Sequence, residues 1–175
     1  MIELNPNFGD DDFREQFQKY VDWNSSMLSV IITSHLFIER VLGFACARAL
    51  KNPDALEIQN MKFHHRLNLF RALYDLDIGI QRLPEAVRSN VVRAPEACQH
   101  LNKIRNEVAH NLDTDDAALL IDEAISWQLA EAGERGLSPL VHTVNRENPK
   151  TMQFAGFVYS VYFGIIGEVK SAETT

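Results

Sequence analysis

The 175-residue chain has little of several things, and each scarcity narrows the field. Two cysteines, Cys46 and Cys98, do not make a disulfide framework. Both fall on apolar stripes of helical spacing, where reduced, buried thiols are expected. Six prolines and eight glycines are few for a chain of many strands. Met1-Ile2-Glu3-Leu4 does not begin a basic stretch followed by an apolar one, so the reading expects a reducing, cytoplasmic setting. A Gly-rich phosphate loop, a Cys-x-x-Cys pair and a Gly-x-Ser-x-Gly turn are all missing. Nucleotide hydrolase, zinc-site and serine-hydrolase readings therefore have no support. There is no internal repeat and no low-complexity segment.

What is present is an ordinary globular composition, 46% hydrophobic and 23% charged, in a length that suits one domain spanning 1–175. The net charge of −7 counts against a whole surface made for nucleic acid. Its distribution is uneven. Residues 62–110 hold eight Lys or Arg against five Asp or Glu, a net of +3, while the remainder carries −10. Four of the six His lie in the same segment. Either charges cluster there by chance on solvated faces, or an acidic body carries a locally basic cleft suited to a phosphate-bearing ligand.

The periodicity predicts an all-α bundle of five to seven helices, with an up-and-down core and a C-terminal apolar helix. Residues 1–9 read as a frayed terminus. Asp10-Asp11-Asp12 opens a helix through about Trp23. Asn24, Ser25 or Ser26 caps the next, which is apolar nearly all round and stops before Asn52-Pro53. A third runs from Met61 to about Leu76. A short helical segment starts at Glu85, and a helix after Pro95 reaches Leu112. Another follows from Asp113–Asp116 to about Ala132. Residues 133–150 read as a long loop or small insertion. Met152–Val169 is apolar and aromatic, with Gly156, Ser160 and Gly164 on one face. It reads as a core or subunit-interface helix, with a strand over Phe157–Phe163 as the alternative. Its apolar run of about 15 residues falls short of the roughly 20 a membrane span needs.

The most informative stretch is Arg105-Asn106-Glu107-Val108-Ala109-His110. Ala94, Ala97, Cys98, Leu101, Ile104, Val108 and Leu112 form the apolar stripe of its helix, Arg105 sits at the stripe's edge and His110 points away from it. An outward imidazole gains a role if it faces a second copy of the same helix. Asn106 lies one turn before His110, and Asn102 extends the same polar strip. Glu39 sits within the stripe Leu28–Ile32–His35–Leu42–Cys46, where a carboxylate needs a partner. The expected partner is Arg105. Arg66 and Lys103 are further candidates to add positive charge to the cleft. Adjacent His64 and His65 point about 100° apart on a helix and make a poor metal site. Plainer roles stand beside these: a structural Arg105, a helix-end His110, a solvated Asn106, and a Glu39 satisfied by Arg40 or His35.

Three ordered features resemble one family. They are Ile38-Glu39-Arg40 on an early apolar helix, Phe63-x-x-Arg66-Leu67-x-Leu69 on a third helix, and Arg105-Asn106-x-x-Ala109-His110. Over roughly 25–130 the chain resembles the HEPN superfamily, within it the bacterial branch related to mannitol repressor-like proteins. After His110 stands Asn111-Leu112-Asp113, without the Tyr carried by the toxin branch. The resemblance implies a dimerising helical bundle. In many members the Arg and His of two subunits meet in a cleft that cleaves RNA without metal or other cofactor. Other members are inactive binding or regulatory modules.

On this basis the catalytic set is Arg105, Asn106, His110 and Glu39, with Arg66, Asn102 and Lys103 for nucleic acid. Arg105 would hold the scissile phosphate. His110 would move the ribose 2′-OH proton, since imidazoles titrate near neutrality. The expected partners are a second copy of the chain, RNA, and an antitoxin or regulatory protein, with no membrane, in RNA-based stress or phage defence. A non-catalytic interaction module and a small-metabolite sensor are the competing readings.

Overall fold

A computed structural model of the chain describes residues 25–74, 93–111, 114–134 and 149–173, together with 15, 17 and 19–22. Among the described residues every regular element is helical and none is a strand. The protein is an all-α helical bundle. The expected helical segment from Glu85 and the loop after 134 fall largely outside the described residues, as do most of residues 10–24.

Helix α1 (Met27–Ala49) starts where its sequence permits. Ser26 has extended ψ, and its Oγ accepts from the Ser29 amide at 3.3 Å. Replacing Ser26 with Ala is expected to cost about 1 kcal/mol, read from urea unfolding. The helix ends at an extended Leu50, shortly before Asn52-Pro53. Two short 3-10 turns follow, Pro53–Leu56 and Ile58–Asn60, joined by Glu57 at φ 46°. That left-handed residue turns the chain back along α1. Helix α2 (Phe63–Leu73) then packs on α1.

Helix α3 (Ala94–Asn111) carries the motif. It starts slightly earlier than its sequence suggests, placing Pro95 in the first turn, where its missing N–H costs nothing. Helix α4 (Thr114–Glu134) follows after only two residues. Lys103 bonds Glu123 at 2.8 Å and the His100 ring lies 4.8 Å from Trp127, so α3 and α4 run antiparallel as a hairpin. Leu101, Ile104 and Val108 are all buried, as their spacing predicts.

Helix α5 (Lys150–Glu173) packs on α1, α3 and α4. Residues 161–169 are buried without interruption, so this half of the helix is enclosed on all sides. The stretch 157–163 is helix, and its aromatic and β-branched residues fill core space instead of a sheet. Ser160 accepts from Gln128 Nε2 on α4 at 2.7 Å and donates to the Gly156 carbonyl at 3.1 Å. The small-residue face thus receives a helix of the same chain.

Helices α1 and α5 are both long and apolar enough to cross a membrane, with best-window mean hydropathies of 1.6 and 1.2. Much of each window, 56% and 78%, is buried within the bundle, as core helices require. Cys46 and Cys98 are buried and free. Burial pushes the Cys46 thiol up to about 12 and the Cys98 thiol up as well, so both stay protonated.

Candidate functional site

Two polar clusters lie along α1, and they separate residues that the sequence had placed together. The first is centred on Arg66 of α2, which is 8% exposed. Its guanidinium passes close to Gly43, where an added Cβ would stand 3.4 Å from Nη1. Nε donates to the Ile58 carbonyl at 3.1 Å, Nη2 to the Gln59 carbonyl at 2.7 Å, and Nη1 to the Glu39 carbonyl at 2.9 Å. The Glu39 carboxylate lies 3.8 Å from Nη1. The expected Glu39–Arg105 pair is therefore replaced by Glu39–Arg66. The reason is geometric: the 3-10 turns present two carbonyls that draw the Arg66 fork across α1, and Glu39 is on that side. Arg66 is spent on protein acceptors and offers little to a nucleic acid.

The second cluster is at the meeting of α1, α2 and α3. His35 is 4% exposed, and its ring lies 4.5 Å from the Phe63 ring. Its Nε2 is 3.2 Å from Asn102 Oδ1 on α3. A carbonyl oxygen only accepts, so Nε2 carries the proton and donates. Burial lowers the His35 pKa to about 4, against the raising effect of the Asn102 bond and with a smaller lowering by the positive charge of Arg105. The imidazole is neutral at pH 7.

Arg105 is half-buried next to this junction. Its Nη1 donates to Asn106 Oδ1 at 3.0 Å. Among the described residues no carboxylate pairs with it. Asn102 and Asn106 are half-buried and His110 is exposed, so the strip Asn102–Arg105–Asn106–His110 winds about 140° round α3, from its buried edge to its outer face. Such a strip offers N–H donors and an accessible imidazole, the functional groups that bind an oxyanion and carry a proton.

Among the described residues, most of the other cations of the basic segment are engaged. Arg71 lies 3.9 Å from Glu96, Arg93 lies 3.7 Å from Glu131, and Lys103 lies 2.8 Å from Glu123. Counting charges along the sequence overstated the free positive charge, because acids from α3 and α4 face these bases. Lys103 remains more than half exposed and its pair is weak in water, so it stays available to a phosphate. The exposed His64 and His65 rings approach to 3.9 Å. Among the described residues no three His, Cys, Asp or Glu gather as a metal site.

Sequence reasoning missed two features. One is the partner of His35, which reads as a member of an apolar stripe or a contact of Glu39 and instead meets Asn102; a His among aliphatic residues was the available signal. The other is a groove of about 680 Å³ between α1 and the 3-10 turns, lined by Leu36, Arg40, Phe44, Pro53 and Glu57 among others. Leu36 is half exposed on its edge. Compared with protein-family models, with curated proteins and with solved structures, the chain matches none.

Proposed function

We propose that this protein is a metal-independent endoribonuclease of HEPN type, acting as a cytoplasmic homodimer in stress or phage defence. The reading rests on the Arg105–His110 motif and is carried by one observation. Arg105 is half-buried, held by Asn106 and without a carboxylate partner among the described residues, one turn or so from an exposed His110.

In this reading Arg105 grips the non-bridging oxygens of a phosphodiester. His110 takes the proton from the ribose 2′-OH as its oxygen attacks phosphorus. The same residue of the second protomer delivers a proton to the departing 5′-oxygen. The products are a 2′,3′-cyclic phosphate and a 5′-hydroxyl. Glu39, paired with Arg66, stands outside this strip.

Purified protein is expected to cut single-stranded RNA in EDTA. His110→Ala should reduce the rate at least about 100-fold, with helical content and melting temperature unchanged because the side chain is exposed. Equal cleavage by the variant, or a monomer at working concentrations, sinks the proposal.

The groove beside Leu36, with the overall charge of −7, favours a second reading: a regulatory or interaction module binding another protein, such as an antitoxin. That reading leaves RNA uncut under every condition.

A further inference from the structure

We infer that His35 is a positioning residue that turns Asn102 into part of an oxyanion-binding strip with Arg105 and Asn106. The inference rests on the reading of this face of α3 as a phosphate site. It adds a donor set and the group that orients it.

Asn102 Oδ1 is occupied by the His35 Nε2 proton, and Asn106 Oδ1 by Arg105 Nη1. An amide whose oxygen is held has its NH2 group directed to the opposite side. Both amides are half-buried, so one side of each is open. Neither NH2 group has an acceptor among the described residues, and Arg105 keeps donors beyond the one given to Asn106. Residues 102, 105 and 106 share a helix face, which sets these donors side by side along one strip. A strip of donors with one fixed positive charge, and no paired acid among the described residues, suits a tetrahedral oxyanion, here a phosphate group.

His35 can hold this arrangement because it does not change. It is packed on Phe63 at 4.5 Å and enclosed by α1, α2 and α3. A neutral ring with its proton on Nε2 presents only a donor to Asn102. A ring protonated on Nδ1 instead would offer a lone pair, attract the Asn102 NH2 group and turn the carbonyl outward, against the ligand. The tautomer thus sets the sign of the strip.

The test is phosphate binding to the whole protein, followed by 15N NMR, which does not depend on RNA cleavage. Titrating inorganic phosphate is expected to shift the side-chain amides of Asn102 and Asn106 and the Arg105 Nε–H. The imidazole nitrogens of His35 should show the Nε2-protonated neutral form. Asn102→Asp keeps the acceptor for His35 but puts an anion in place of the NH2 group. It should weaken phosphate at least about tenfold. His35→Leu removes the donor and should weaken it several-fold, whereas His35→Gln, which sets an N–H near the same place, should restore it. Ser26→Ala, at the N-cap of α1, should lower the melting temperature and leave phosphate affinity alone.

An Nδ1-protonated ring, shifts that bypass Asn102, or equal weakening by His35→Leu and His35→Gln each overturn the inference. If His35→Leu does not fold, the tautomer and Asn102→Asp decide alone. A short 2′-O-methyl RNA that displaces phosphate identifies the ligand as a backbone phosphodiester, and its failure to do so identifies a free phosphate. Either supports the strip, and binding of neither refutes it. Phosphate binding without RNA cleavage refutes the nuclease reading and spares this one.

Discussion

Arg66→Met is expected to lower stability by about 3 to 5 kcal/mol, seen as a large drop in the urea midpoint. Methionine fills similar space, so the loss isolates the guanidinium. Three backbone carbonyls, of Ile58, Gln59 and Glu39, each lose an Arg66 donor at a position 8% exposed; Ile58 keeps the Met61 amide and Glu39 keeps its helical bond. The Glu39 carboxylate, 20% exposed, loses its countercharge. Three charge-assisted hydrogen bonds and one countercharge are lost together, which is why the effect exceeds that of an ordinary ion pair. Arg66→Lys should recover little, because a single ammonium cannot reach three diverging carbonyls. Glu39→Gln should cost no more than about 1 kcal/mol, since Arg66 keeps all three carbonyls. A change within about 1 kcal/mol for Arg66→Met would show that the 3-10 turns do not depend on it. Glu39→Gln also reports on the site: with Glu39 paired to Arg66, a stable variant should cut RNA at the wild-type rate, and loss of cleavage would give Glu39 a role beyond that pair.

The helices were legible in the sequence because their signals are local. Ser26 caps α1, Asn52-Pro53 stops its continuation, and the run of Leu101, Ile104 and Val108 marks the inner face of α3. The partner of Glu39 was not legible. Arg66 and Arg105 both sit at edges of apolar stripes, and helical spacing alone does not tell which helix lies against which side of α1. What decides between them is a pair of backbone carbonyls at Ile58 and Gln59, and main-chain acceptors leave no mark on side-chain patterns. The same holds for the small-residue face of α5. Gly156, Ser160 and Gly164 announce a close approach, but only the fold shows Gln128 of α4 making it. Of the candidate site, the strip on α3 was visible because it lies within one helix. The contribution of His35 was hidden because it comes across the chain, 67 residues away from Asn102.

Acid should destabilise the protein through His35, and the sign follows from where the proton is held. The folded pKa is about 4 and the unfolded value is about 6.5, so the unfolded chain binds the proton more readily. Stability is therefore unaffected by His35 above pH 6.5 and is lost as pH falls from 6.5 towards 4. The loss is about 2 kcal/mol at pH 5 and about 3 kcal/mol below pH 4. Carboxylates elsewhere titrate in the same window, so the useful quantity is a difference between proteins. Urea unfolding of the wild type and of His35→Gln at pH 7 and pH 5 should show the wild type losing about 2 kcal/mol more than the variant. Parallel losses would mean that His35 accepts a proton within the fold at no cost. In that case the enclosure by Phe63 and the charge of Arg105 would not be keeping the ring neutral, although Nε2 would still donate to Asn102.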